Sequence, residues 1–244
     1  MKDNFSAQAK AYAQFRPYYP PEMIAYIASL TTNKTAALDV ATGNGQVAAQ
    51  LANYFKEVYG TDISEKQLQN ATPAPNITYK VERAEETGFG ESQFDLITVA
   101  QAIHWFDFDA FYKEVYRILK PDGIFAVLGY GLFNTNADTD VILDKFYYDI
   151  VGPYWDAERR YLDEKYTTIP FPFNELEVQT FTNHFTWTIE QLIGYLETWS
   201  ATQHYIKKNG SSPIDVIRQE LQQSWEKGDK SVTFPLLLRV GKKV

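Results

Sequence analysis

Cysteine is absent from the 244 residues, which excludes a disulfide framework, a thiolate nucleophile and any Cys-held metal. A reducing cytoplasmic setting agrees with that lack, and no metal site is expected. Cationic residues are scarce as well. The 23 Lys and Arg against 31 Asp and Glu leave a formal charge of −8, which counts against a nucleic-acid partner whose phosphates need clustered cations. No apolar run approaches the ~20 residues that span a bilayer, and the opening Met1-Lys2-Asp3-Asn4-Phe5-Ser6 is polar, so no membrane partner is expected. Oligomeric state is left open by composition. What the chain has in quantity is aromatic side chains, 16% of residues and dense after Tyr130, which can line an apolar pocket as well as a core.

The length suits one α/β domain with embellishments. A short amphipathic helix is expected over 5–16 and another over 21–29, separated by Pro17-Tyr18-Tyr19-Pro20-Pro21. Strand patterns at 36–41, 57–62, 77–82, 94–100 and 124–130 then alternate with helical patterns at 46–55, 65–70 and 108–119. That alternation predicts a doubly wound parallel sheet with right-handed crossovers. Ser64-Glu65-Lys66-Gln67 has capping-box spacing, and Lys120-Pro121-Asp122-Gly123 ends the long helix ahead of the fifth strand. Past Gly131 the pattern changes. A helix over 137–151, a charged aromatic stretch over 155–166 and an apolar connector over 169–173 form a candidate insertion. A strand-like alternation over 177–188, helices over 189–198 and 213–226 and a strand over 232–240 complete the chain, with Ser212 as N-cap. The organisation expected is thus N-terminal helices over 1–30, a binding core over 36–131, a cap over 132–175 and final elements over 176–244.

The first strand, Leu38-Asp39-Val40, runs into Ala41-Thr42-Gly43-Asn44-Gly45. Glycines at 43 and 45 admit positive φ and a close ligand approach to the backbone. The second strand ends in Asp62, about 20 residues on, placed to accept from ribose hydroxyls at the carboxyl edge of a parallel sheet. An adenosine-containing cofactor follows, and two classes compete for it. A nicotinamide dinucleotide fingerprint is incomplete, because Ala48 stands where its third glycine belongs. Asp39 is a second carboxylate, buried in the strand, which needs hydrogen-bond partners; the N–H groups of the turn are the nearest supply.

With Asp39 included, Asp39-x-Ala-Thr-Gly-x-Gly resembles the first motif of class I S-adenosylmethionine-dependent methyltransferases. Tyr59-Gly60-Thr61-Asp62-Ile63-Ser64 is similar to that family's ribose-binding strand end, and Arg83-Ala84-Glu85-Glu86 to its adenine loop. Phe94-Asp95-Leu96-Ile97-Thr98-Val99 followed by Gln101-Ala102-Ile103-His104-Trp105-Phe106 resembles the fourth strand and the loop beside the methionine moiety and acceptor. Leu119-Lys120-Pro121-Asp122-Gly123 resembles the helix-ending turn, with Asp122 where a second glycine is usual. His104-Trp105-Phe106-Asp107 and Tyr154-Trp155-x-x-Glu158-Arg159 bring the chain nearest the trans-aconitate methyltransferase-like group. The resemblance implies a Rossmann-like, seven-stranded, mostly parallel sheet with an antiparallel last strand and a helical insertion after the fifth. It also implies S-adenosylmethionine as cofactor, S-adenosylhomocysteine as product and a small-molecule methyl acceptor. The cofactor-binding set becomes Tyr12, Arg16, Ala41, Gly43, Gly45, Asp62, Ile63, Ala84, Glu85 and Gln101.

Methyl transfer from a sulfonium depends chiefly on holding acceptor and methyl carbon together and excluding water. An ionised carboxylate acceptor needs no base, whereas a hydroxyl or amine profits from one. His104 is the catalytic candidate, with a structural histidine as its bland counterpart. Arg16 suits the methionine carboxylate, with Tyr12 adding a hydroxyl; the alternative is a surface arginine at a helix end. Arg159 suits an anionic substrate group, yet Asp156-Ala157-Glu158-Arg159-Arg160 also reads as a solvated, self-paired helix face. Trp105, Tyr130 and Trp155 are candidate acceptor walls, or core. His184 and His204 read as structural and Lys207-Lys208-Asn209-Gly210 as a solvated turn. A dehydrogenase and a catalytically silent binding protein are the competing functions.

Overall fold

The computed structural model describes residues 14–243; Tyr12 and most of the helix expected over 5–16 lie outside them. Helix α1 (Pro21–Ser29) opens with Pro at its first turn, where the missing N–H costs nothing. The central strands β1 (Ala36–Val40) and β4 (Phe94–Ala100) are buried almost throughout, as befits strands covered on both faces. With β2 (Glu57–Asp62), β3 (Ile77–Val81) and β5 (Leu119–Tyr130) they form parallel ladders in the order β3-β2-β1-β4-β5. The chain therefore reverses its direction of winding between β1 and β4, and the crevice at their carboxyl ends is the switch point where α/β sheets bind ligands.

Strand β8 (Ser231–Lys242) runs antiparallel to β5, pairing Tyr130 with Leu236 and Ile124 with Lys242. Its other edge is shared by β6 (Asn174–Glu175) and β7 (Thr182–Thr186), both antiparallel to it. The alternation expected over 177–188 yields strand only in its later half, and the short β6 adds an eighth strand to the seven that were implied. The doubly wound, mostly parallel class stands.

Helices α2 (Gln46–Leu51), α3 (Glu65–Leu68) and α4 (Phe108–Ile118) connect the parallel strands. Ser64 accepts from Gln67 N–H to start α3, and Asp107 accepts from Ala110 N–H to start α4, which buries Phe111, Tyr112, Val115 and Ile118 on one stripe. Between Phe94 and Leu96 the β4–β5 register slips, pairing Leu119 and then Ile124, so the Lys120–Gly123 turn bulges out with Asp122 at φ +62°. Beyond β5, α5 (Ala137–Asp144) widens into a π-helical turn over Lys145–Ile150, and α6 (Arg160–Asp163) follows the 3-10 turn Ala157–Arg159. Helices α7 (Ile189–Glu197), α8 (Ser200–Asn209) and α9 (Arg218–Lys227) follow. Helix α8 was not foreseen: Lys207-Lys208-Asn209 is its last turn, and Gly210 at φ +74° ends it in the left-handed conformation glycine favours. The expected helix over 213–226 is a 3-10 turn, Pro213–Val216, capped by Ser212, and then α9. Among the described residues no helix is long and apolar enough to cross a membrane.

Candidate active site

The turn after β1 carries three left-handed residues, Ala41 (φ +53°), Gly43 (φ +57°) and Gly45 (φ +77°). The two glycines serve different ends. A Cβ built on Gly43 meets no protein atom within 4 Å, whereas one on Gly45 would lie 2.2 Å from the Tyr79 hydroxyl. Gly43 thus leaves the backbone open to a ligand, while Gly45, like Gly60, makes room for the Tyr79 ring. Asp62 braces the turn from behind, accepting from Gly43 N–H at 2.9 Å and Ser64 N–H at 2.8 Å.

Asp39 is 1% exposed, and its partners are two hydroxyls and the Ala48 backbone N–H rather than the N–H groups of the Ala41–Gly45 turn. Thr42 donates at 2.5 Å and Thr98 at 2.8 Å. Burial raises this carboxyl to about 6, with the Asp62 charge adding to the rise and the bonds from Thr42, Thr98 and the Ala48 backbone opposing it.

A cleft opens beneath the turn, lined by Asp39, Ala41, Thr42, Gly43 and Gln46 on one side and by Arg16, Tyr19, Gln101 and Tyr130 on the other. A second space lies beside it, lined by His104, Trp105, Trp155, Asp156, Arg159, Trp199 and Ser200. Arg16 and Gln101 belong to both. Gln101, at φ +56°, clamps the β4–β5 mouth: its side-chain amide accepts from Tyr130 N–H at 3.1 Å and donates to Tyr130 C=O at 3.2 Å. Arg16 donates to the Tyr130 hydroxyl at 3.1 Å and the Thr198 carbonyl at 2.9 Å, with its guanidinium 5.3 Å from the Tyr195 ring centroid.

Of the predicted site residues, Arg16, Ala41, Gly43 and Gln101 meet in the first cleft, and His104, Trp105, Trp155 and Arg159 in the second cavity. Tyr130, expected among the acceptor walls, stands in the wall of the first cleft instead. Gly45, Asp62, Ile63, Ala84 and Glu85 line neither space. Ala84 is buried in the core on the α4 side of the sheet, and Glu85 faces Arg83 at 3.5 Å and the Asp107 N–H at 3.5 Å. Arg159 does not lie on a solvated face. Its guanidinium sits 4.7 Å from the Trp155 ring centroid and 5.3 Å from that of Tyr147. Its Nε donates to the Tyr147 hydroxyl at 2.8 Å and to Asp163 at 3.2 Å. Arg160, by contrast, is an outer residue on Tyr161.

His104 is 5% exposed. Burial first, and then the Arg159 charge, lower its imidazole to about 3, so it is neutral at physiological pH. Tyr166, Trp199, Ser200 and Asp156 escaped sequence reasoning as site residues. The density of aromatics between Tyr154 and Tyr166 was the available signal.

A methyltransferase-domain family model matches residues 38–127. A Dictyostelium discoideum protein named "Putative methyltransferase" is 34% identical across 99% of this chain and 95% of its own length. A Saccharomyces cerevisiae protein named "Probable S-adenosylmethionine-dependent methyltransferase" is 25% identical over 90% of this chain and 89% of its own. The solved structure of a "Putative Type II Methyltransferase" from Anaeromyxobacter dehalogenans superposes with a TM-score of 0.85 at 34% identity, covering 93% of this chain and 98% of that one. With a relative this similar over its whole length, a matching family model and the switch-point cleft, the chain belongs to the class I S-adenosylmethionine-dependent methyltransferases.

Proposed function

We propose that the chain moves a methyl group from S-adenosylmethionine to an oxygen or nitrogen of a small molecule, with a carboxylate as the preferred acceptor. The observation that carries this reading is the wall common to two cavities: Arg16 and Gln101 border both the cleft under the glycine turn and the chamber of His104 and Arg159. A donor in the first and an acceptor in the second meet across that wall. The cofactor supplies an activated sulfonium methyl when bound; the protein's own task is to hold, align and dehydrate the reactants.

Gly43, whose outward face is free of protein atoms, fits close approach of a ligand to the backbone. Ala41, Gly45, Asp62, Ile63, Ala84, Glu85, Gln101, Arg16 and Tyr12 complete the proposed donor site, with Arg16 toward the methionine carboxylate. Arg159 takes an anionic group of the acceptor, Trp105 and Trp155 enclose its body, and His104 contacts it. A carboxylate is favoured because His104, held near 3, is a weak base, and an ionised carboxylate needs none. The resemblance of the 104–107 and 154–159 segments to the trans-aconitate methyltransferase-like group supports the same acceptor class. Residues 132–175 act as the substrate cap of a single cytoplasmic domain, and the net negative charge argues against nucleic acid as acceptor.

Thermal-shift titration tests the donor, since a ligand bound only by the native state raises apparent stability with log concentration. S-adenosylmethionine and its demethylated product should stabilise; stabilisation by NADH alone overturns the reading. A methylation panel of carboxylates, phenols and amines then tests the acceptor. Donor binding with no turnover on any of them favours a silent binding protein.

A further inference from the structure

The acceptor chamber holds one imidazole, and its orientation is fixed from outside the motifs that define the fold. His104 Nδ1 lies 3.1 Å from the Tyr166 hydroxyl, with the two rings stacked at 5.9 Å between centroids. Among the described residues Nε2 of His104 has no hydrogen-bond partner, which leaves that nitrogen to the chamber His104 lines.

Tyr166 is held with unusual firmness. It is 1% exposed, and it follows Lys165 (φ +55°) with its own φ at +61°, a conformation rare for a bulky side chain. Its carbonyl accepts from Arg239 Nη1 at 2.8 Å, and Arg239 is itself gripped by both oxygens of Glu175 at 2.7 and 2.9 Å. The ring fills a notch in β5: a Cβ on Gly129 would lie 2.7 Å from Tyr166 Cε2. Backbone strain of this kind persists where surrounding structure over-determines it, and it clusters at functional sites.

We infer that Tyr166 is a positioning residue whose hydroxyl donates to His104 Nδ1, so that Nε2 carries the proton and His104 serves the acceptor as a hydrogen-bond donor, not as a general base. A phenol O–H is a more acidic donor than an imidazole N–H, and an imidazole nitrogen is the better acceptor, which sets the direction of the bond. A donor aimed into the chamber fixes an acceptor oxygen without removing a proton from it. This inference rests on the acceptor chamber proposed above.

Tyr166→Phe keeps the ring in the Gly129 notch and deletes only the hydroxyl. Long-range 15N–1H spectra of the full chain, with His104 assigned against His104→Gln among the three histidines, report the tautomer without requiring turnover. The wild type should hold His104 as the Nε2–H form and Tyr166→Phe as a mixture of both forms. With an acceptor in hand, Tyr166→Phe should lower kcat roughly 5- to 10-fold, leave the donor Kd unchanged and add no inflection to the pH–rate profile between pH 5 and 8. A wild-type Nδ1–H tautomer overturns the inference, as does a Tyr166→Phe variant whose tautomer ratio is unaltered. Should Tyr166→Phe fail to fold, the wild-type spectrum decides alone. Absence of methylation with the Nε2–H form intact overturns the proposed function and leaves the Tyr166 role standing.

Discussion

Asp62 holds Gly43: one carboxylate oxygen receives the Gly43 N–H at 2.9 Å while the other receives the Ser64 N–H at 2.8 Å. The acid at the end of β2 is therefore part of the frame that shapes the glycine turn, in addition to its proposed role at the ribose. Asp62→Ala should weaken donor binding by about 1.5–3 kcal/mol and also lower the melting temperature of the unliganded protein. Titration calorimetry and thermal melts read the two effects separately; an unchanged Kd removes Asp62 from the site.

The two turn glycines should respond differently to alanine. Gly43→Ala carries a left-handed backbone cost of about 1–2 kcal/mol and puts its methyl into open space, so donor affinity should fall at least tenfold by this reading. Gly45→Ala adds a collision with the Tyr79 hydroxyl and should lose about 1–3 kcal/mol more in urea unfolding. Equal stability losses in the two variants would remove the distinction.

Asp39 gives stability a falling limb. Its folded value of about 6 lies above the ordinary 3.8, so its contribution is complete below about pH 4 and is lost as pH rises through 6. Urea unfolding of Asp39→Asn should be flatter than wild type between pH 4 and 6.

His104 has the opposite sign. Its folded value of about 3 lies below 6.5, so stability is fully present above 6.5 and drains as pH falls toward 3. His104→Gln should lose less stability on acidification through that window, and parallel curves for wild type and variant would contradict a buried neutral imidazole.

Arg159→Gln should raise KM for an anionic acceptor roughly 10- to 100-fold, the loss of charge-assisted hydrogen bonds, with the donor Kd unchanged. A neutral acceptor analogue should be nearly indifferent to the change, and steady-state kinetics on the pair tests it.

The parallel core was legible because β1 and β4 are apolar runs buried on both faces, a pattern that leaves few alternatives. The glycine turn was legible because positive φ recruits glycine. Ala41 and Gln101 take the same conformation with side chains that give no warning, since tertiary contacts rather than local preference hold them there. Helix α8 buries only Ala201 and Thr202 among its residues, too little apolar periodicity to register. Tyr79 was invisible as the reason for Gly45, because its approach is a contact between the turn after β1 and a strand far away in sequence. Arg159 could be read either way until the ring faces of Tyr147 and Trp155 were seen around it.

The sharing of Arg16 and Gln101 by the two spaces has a pharmacological consequence. A single compound that tethers an adenosyl fragment to an anionic fragment through a short linker could occupy both chambers at once. The second fragment then binds at the high effective concentration set by the first, and the linker length giving the tightest inhibition measures how far the methyl group must travel.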